Sequence, residues 1–395
     1  MATTGLPVHR PRLSLGPISL VRLVACEILA AGAFLAWMAP RPVAYGAIGV
    51  AAVGILAVLL SGTRGIDRRV LLRLRRGRLR KRVAASRVAG DALAVLAPRL
   101  QIVSVTERDK EFGVAFDGQG WFAGIALETD DPAAPAGLGA ATVSSVAQVL
   151  ADAPGNVTGI QIVSHMVPTP SVELDPDAAC IESYRELLGN DPVVSHHATW
   201  LAIRLDVDAA LPVSEERGGG VEGARRAVTS VAGRLLRRLA DAGVTFRVLG
   251  ADGLRVALTH SISGETISAA LAQQAVEEWK AWRLGSLAHV TFGMDGRIRD
   301  INAMRRLWTA MAMVSSSFST VSVTLRPWRR SETGVSLVTM NSLLRVAYDD
   351  DVDDGVADEL VGAARECGVR LWRFDGEQAA ATYASAPTGG GFGGR

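Results

Sequence analysis

Hydrophobic and polar positions fall into three regimes along the chain. Two near-continuous apolar stretches come first, residues 20–39 and 43–61, separated only by Pro40-Arg41-Pro42. Each is about the length that crosses roughly 30 Å of hydrocarbon, and the short proline link predicts an antiparallel two-helix transmembrane hairpin. Residues 64–87 form the second regime, with eleven Arg/Lys against one acid, Asp67. There Ile66, Val70 and Leu74 recur four apart among arginines, which predicts a basic juxtamembrane helix over 62–90. The third regime begins at Leu100, where apolar and polar positions alternate in the strand manner.

In that third regime, Phe112, Val114 and Phe116 share one face, Asp117-Gly118-Gln119-Gly120 turns the chain, and Ala123, Ile125 and Leu127 return. A helix is expected over 141–153, a strand over 157–166 and a helix over 176–188. Leu201, Ile203, Leu205 and Val207 alternate with Trp200, Ala202, Arg204 and Asp206 in a strand over 199–208. Val221, Ala224, Val228, Val231, Leu235 and Leu239 then recur at spacings of three and four, the stripe of a helix packed on one side. Gly243 closes that helix, and 244–249 is a further strand. Leu271, Ala275, Trp279 and Trp282 are spaced as a helical apolar face. Strands are expected around Val321, Val323 and Leu325 and through 335–347. A helix marked by Val356, Leu360, Val361 and Ala364 ends at Gly368, before a last strand over 369–374.

Ala242-Gly243-Val244-Thr245-Phe246 and Cys367-Gly368-Val369-Arg370-Leu371 are similar, a short match that suggests two related strand–helix–strand halves. The expected architecture is thus a cytoplasmic α+β/α/β body on an N-terminal two-helix transmembrane hairpin. Its divisions are 1–19 (cytoplasmic), 20–61 (hairpin), 62–90 (basic helix), 91–384 (body) and 385–395, a Gly-rich tail expected to be disordered.

Charge assigns the sides. The formal net charge of +2 averages two unlike pieces, because residues 1–87 hold fifteen of the 42 basic residues and two of the 40 acids. The remainder is acidic by about eleven charges, with no basic stripe to neutralise phosphates, which excludes nucleic acid as a partner. Arginines flank the outer ends of the hairpin and one lies in its turn, so the positive-inside bias puts both termini in the cytoplasm of a multi-pass inner-membrane protein. Glu27 is an acid within a span, where a partner is usually needed. Gly32/Ala36 and Ala47/Ala51 are small-residue pairs that let another helix approach. Arg68, Arg69, Arg73, Arg75 and Arg76 would meet anionic lipid headgroups, at about 1 kcal/mol each, or a partner's acidic surface. The three cysteines, Cys26, Cys180 and Cys367, form no motif and imply no disulfide framework.

Catalytic chemistry is sparse. None of the three lysines (Lys81, Lys110, Lys280) follows a glycine, which excludes a P-loop ATPase. Arg217-Gly218-Gly219-Gly220 before a helix could cradle an anion, but Glu215, Glu216 and Glu222 oppose one there, and a connecting loop is the better reading. Asp206-Val207-Asp208 has the Asp-x-Asp form by which nucleotide-sugar transferases hold a divalent ion; alternation would set both carboxylates outward at a strand end. Asp349, Asp350, Asp351, Asp353 and Asp354 depart from the EF-hand pattern at Asp354 and Leu360 and instead suit a helix start. His196 and His197 are strand neighbours and point to opposite faces. Ser263, in His260-Ser261-Ile262-Ser263-Gly264, lacks the glycine of a nucleophile elbow. No cofactor, metal site or catalytic residue is expected.

The hairpin, the Arg-rich segment, Phe112-Gly113-Val114, Thr199-Trp200-Leu201-Ala202-Ile203-Arg204-Leu205 and Arg217-Gly218-Gly219-Gly220 together resemble the EccE family. This is a membrane component of the mycobacterial and actinobacterial type VII (ESX) secretion machinery. The resemblance implies a non-enzymatic subunit of an inner-membrane complex, alongside EccB, the EccC ATPase, EccD and the mycosin protease. The competing reading is a membrane-anchored glycosyl- or phosphotransferase acting on envelope precursors through Asp206 and Asp208. A third is a cytoplasmic sensor on a membrane anchor.

Overall fold

The computed structural model describes residues 14–15, 18–19, 31, 45, 92–128, 139–152, 157–169, 183, 186, 193–263, 275–295, 301–312, 314, 316–330, 336–349 and 355–390. The chain divides into two compact units, Val8–Lys81 and Met1–Pro7 with Arg82–Arg395. In the smaller unit Ser14–Leu15 pairs antiparallel with Ile18–Ser19.

Among the described residues, the larger unit is built on a twelve-stranded sheet. Its strands are β1 (Gln101–Glu107), β2 (Lys110–Phe116), β3 (Gly120–Leu127), β4 (Gly159–Thr169), β5 (Val193–Asp206), β6 (Phe246–Val248), β7 (Ala275–Glu277), β8 (Trp282–Leu284), β9 (Leu287–Asp295), β10 (Phe318–Arg330), β11 (Ser336–Asp349) and β12 (Arg370–Arg373). The main path runs β1-β2-β3-β5-β4-β10-β11-β9-β8-β7, with β6 on β3 and β12 on β9. The helices are α1 (Ala92–Leu96), α2 (Ala140–Asp152), α3 (Val207–Glu215), α4 (Gly220–Asp241), α5 (Ala251–Ser263), α6 (Ile301–Ala312), α7 (Gly355–Glu366) and α8 (Gln378–Ser385).

The register repeats across the middle of the sheet. A row of cross-strand partners runs Val248–Ile125–Leu201–Ile162 in one half and Arg373–Phe292–Leu344–Val321 in the other. The halves meet where β4 pairs with β10, and there Val163 lies opposite Ser322, Ile162 opposite Val323 and Ser164 opposite Val321. A pseudo-twofold through Val163 and Ser322 therefore exchanges β2, β3, β4, β5 and β6 with β8, β9, β10, β11 and β12.

Two sequence expectations about the fold are corrected here. Every pairing among the described residues of the sheet is antiparallel, which corrects the α/β character expected of strand–helix–strand units. The reason is local: β5 and β6 flank β3 and each runs antiparallel to it, so the strands joined through α4 are never neighbours. The two-helix transmembrane hairpin is not supported either, since no helix among the described residues is long and apolar enough to cross a membrane. Residues 20–39 and 43–61 themselves lie outside the described residues, Ala31 and Tyr45 apart, as does most of the helix expected over 176–188.

Strand alternation gives the sheet two unlike faces. Ile160, Ile162, Leu201, Ile203, Leu205, Val321, Val323, Leu344 and Val346 enter one continuous apolar cluster. The helices α2, α4, α6 and α7 contribute Val146, Leu235, Leu307 and Leu360 to that cluster. The stripe predicted on α4 is its buried face: Ala224, Val228, Val231, Leu235 and Leu239 are all fully enclosed, each larger side chain contributing about 1.5–3 kcal/mol by leaving water.

The other face carries Gln161, His165, Arg204, His289, Thr291, Thr320, Ser322, Thr324 and Arg345, all buried. It is covered by α5 and α8 and by the chain following α8. A buried polar face requires partners for nearly every group, and that requirement locates the candidate site.

Candidate functional site

The covered polar face has two centres, each built on a buried arginine. In the first half, Arg204 projects from β5. Its Nη1 donates to Asp117 Oδ2 at 2.9 Å and its Nη2 to Asp117 Oδ1 at 3.2 Å, a bidentate pair. Nε donates to Asp206 Oδ1 at 2.6 Å, and Nη1 also reaches the Thr388 carbonyl at 2.9 Å. Asp117 is fixed in turn by the β2–β3 hairpin that the sequence predicts: its carboxylate accepts from the backbone N–H of Gln119 and Gly120. The Tyr383 hydroxyl of α8 donates to it as well, at 3.1 Å.

Burial alone would lower the Arg204 pKa, but the charges of Asp117 and then Asp206 outweigh it and hold the guanidinium above its ordinary value. Tyr383 is raised well above the usual phenol range by burial and by the Asp117 charge. The phenol is thus held neutral as a donor.

The C-terminal segment completes this centre. Gln161 Nε2 donates to Ser322 Oγ at 2.6 Å and to the Ala384 carbonyl at 2.7 Å. Its Oε1 accepts from the backbone of Gly389 at 2.7 Å and Gly390 at 2.9 Å. Both glycines have positive φ, +77° and +68°, and a Cβ on either would collide with Arg204 or Thr324. Only glycine lets the chain lie this close. The tail expected to be disordered from 385 is therefore packed through Gly390, because its Gly-rich composition serves close approach to Arg204 rather than solvation.

The second centre is built on Arg345 of β11. Nη1 faces His289 Nδ1 at 3.3 Å, and Nη2 donates to the Ser261 carbonyl, to Ser261 Oγ at 3.2 Å and to Thr320 Oγ1 at 3.2 Å. All of these partners are neutral. Burial pushes the Arg345 pKa down to about 9, and burial together with the Arg345 charge holds His289 well below its ordinary value. Nearby, Glu277 of β7 accepts from the backbone N–H of Gln378 and Ala379, both at 2.8 Å. A carboxylate thus anchors the start of α8, where the helix dipole favours it.

Several sequence candidates resolve differently from expectation. Asp206 does not face outward: it is half-buried against Arg204, while Asp208 is exposed on the first turn of α3. Among the described residues no group of three or more His, Cys, Asp or Glu could hold a metal ion. Arg217–Gly220 is the connection between α3 and α4, where Glu222 pairs with Arg225 and Glu216 with Arg217. Ser263 donates to the Thr259 carbonyl within α5, and Ser261 serves Arg345. The proposed interaction residues Glu27, Gly32, Ala36, Ala47, Ala51, Arg68, Arg69, Arg73, Arg75 and Arg76 lie outside the described residues. Residues 350–354 do too, and Gly355 opens α7 directly after them.

The polar face escaped sequence reasoning because its members are remote from one another, Gln161 and Gly390 above all. One signal was present: Gln161, Arg204 and Arg345 are polar residues at alternating positions of otherwise apolar strands.

The two centres together form a buried polar layer between the sheet and the elements α5, α8 and the C-terminal segment. Residues 193–294 match the model described as "Putative type VII ESX secretion system translocon, EccE", so this segment is similar to that family. The match runs from the start of β5 into β9. It therefore spans both halves and includes Arg204, Asp206, Ser261, Trp282 and His289. Among curated proteins none matches the chain.

Proposed function

We propose that this protein is a non-enzymatic structural subunit of a type VII secretion complex at the inner membrane, supporting assembly and stability of the export machinery. The observation that carries the proposal is the EccE match over 193–294, which falls on the elements that build the enclosed polar layer. In this reading the antiparallel sheet is a brace whose two halves are locked by Arg204, Gln161 and the C-terminal segment, and its outer surfaces meet other subunits. EccB, the EccC ATPase, EccD and the mycosin protease are the partners proposed. The body is placed on the cytoplasmic side, where ATP hydrolysis belongs to EccC.

The test is purification of the tagged full-length chain from its native cells in mild detergent, with identification of co-eluting proteins. EccB, EccC and EccD in a stable high-mass complex are the expected result. A monodisperse species free of all three overturns the proposal.

The transferase alternative needs Asp206 and Asp208 to act together on a metal-bound donor. Asp206 is engaged by Arg204 at 2.6 Å and Asp208 is exposed on the first turn of α3, so no observation favours that alternative.

A further inference from the structure

Arg345 is fully buried, and so are His289, Ser261, Thr320 and Trp282 around it. Among the described residues no carboxylate reaches it: its hydrogen-bond partners are an imidazole, a carbonyl and two hydroxyls. Removing a guanidinium from water without an opposite charge costs several kcal/mol, whereas Arg204 is paired with two carboxylates. The face of Phe318, 5.6 Å from the guanidinium carbon, returns only about 0.5–2 kcal/mol.

The hydrogen-bond directions sharpen the imbalance. Arginine is a donor only, so His289 Nδ1 must accept from Arg345, which puts the imidazole proton on Nε2. His289 Nε2, Arg345 Nε and Trp282 Nε1 are all buried, and none has a partner among the described residues. Trp282 and His289 are directly opposite on β8 and β9, with ring centroids 5.1 Å apart. One positive charge and three unmet N–H donors therefore share a stretch of the covered face. Glu277 of β7, opposite Trp282, turns both carboxylate oxygens to the backbone of Gln378 and Ala379, so among the described residues these three N–H groups lack an acceptor.

We propose that Arg345, His289 and Trp282 form a binding site for a small inorganic anion of the halide class. The anion supplies the missing charge and accepts the unmet N–H groups. Complete enclosure of these side chains limits the occupant to a compact ion. The site ties β8, β9 and β11 together, doing in the second half what Asp117 does in the first.

The experiment is thermal unfolding of the full chain while sodium gluconate is replaced stepwise by sodium chloride at constant ionic strength, near pH 7. A ligand that binds only the folded state raises the midpoint as it saturates. The expected result is a saturable rise of several degrees, abolished by Arg345→Met and retained by Arg226→Gln on the exposed face of α4. Trp282→Phe removes one donor while keeping an aromatic ring, and the half-saturating chloride concentration should then rise about tenfold. This variant decides the matter if Arg345→Met fails to fold. Absence of any rise in the wild-type chain, or the same rise in Arg345→Met and Trp282→Phe, overturns the proposal.

Discussion

Arg204 and Arg345 lie on the same face of the sheet, in strands that the pseudo-twofold exchanges, yet they solve the burial of a cation in opposite ways. Since Leu201 corresponds to Leu344, Ala202-Ile203-Arg204 corresponds to Arg345-Val346-Ala347. Each half thus carries one arginine and one alanine on the covered face, in exchanged order. The one-step displacement along the strand brings Arg204 to the β2–β3 turn and Asp117, and to Asp206 at the end of its own strand. Arg345 lies further from its strand end and meets only neutral groups. Duplicated architecture does not duplicate electrostatics, because a shift of two residues along a strand, about 6.6 Å, exceeds hydrogen-bond reach.

The largest effect that separates the two centres is expected for Arg204→Met. It leaves Asp117 buried without its cation and removes the donor to Thr388, and urea unfolding should show a loss of about 3–5 kcal/mol. A loss below about 1 kcal/mol would mean that the first centre is not what holds the halves together. Next comes Gly389→Ala, which forces a side chain into the positive-φ position against Arg204. It should cost about 1–3 kcal/mol and expose the C-terminal segment to limited carboxypeptidase digestion.

The two centres should also give opposite slopes in alkali. Arg345 is lowered from 12.5 to about 9, so the penalty of its buried charge is fully present below pH 9 and is relieved as pH rises through that value. Tyr383 is raised above its usual value of 10, so its contribution is intact below pH 10 and falls away above it. Unfolding free energy measured from pH 8 to 11 should lose its rising component in Arg345→Met and its falling component in Tyr383→Phe.

At neutral pH in gluconate, Arg345→Met should change stability by no more than about 1 kcal/mol, or increase it, because the uncompensated charge goes with the side chain. The smallest change is a control for the tail glycines. Gly233→Ala, inside α4 with open space where its Cβ would go, should stabilise by about 0.5–1 kcal/mol on helix propensity alone.

Much of the element order was legible in the sequence, because alternation and the three–four stripe record which side of each element is buried. The β2–β3 hairpin, α2, α4 and α7 fall within a few residues of their expected positions. Leu271, Ala275, Trp279 and Trp282 misled, since spacings of three and four also arise when two three-residue strands, β7 and β8, are joined by a tight turn. The strand β9, the helices α5, α6 and α8, and the antiparallel pairing were not anticipated. Pairing depends on partners far apart in sequence, such as Val163 and Ser322. The same distance hid the polar face: nothing near Arg204 announces Asp117, 87 residues earlier, and a Gly-rich end reads as solvated until the crowded surface it covers is known.

The central claim is that the chain acts as a brace in a secretion complex and not as a catalyst. It is tested most directly by secretion from cells whose only copy carries Asp206→Asn and Asp208→Asn, with assembly of the complex followed in parallel. Asp117 still neutralises Arg204 in that variant, so the account predicts normal assembly and secretion at the wild-type level. Normal assembly with secretion abolished would contradict it.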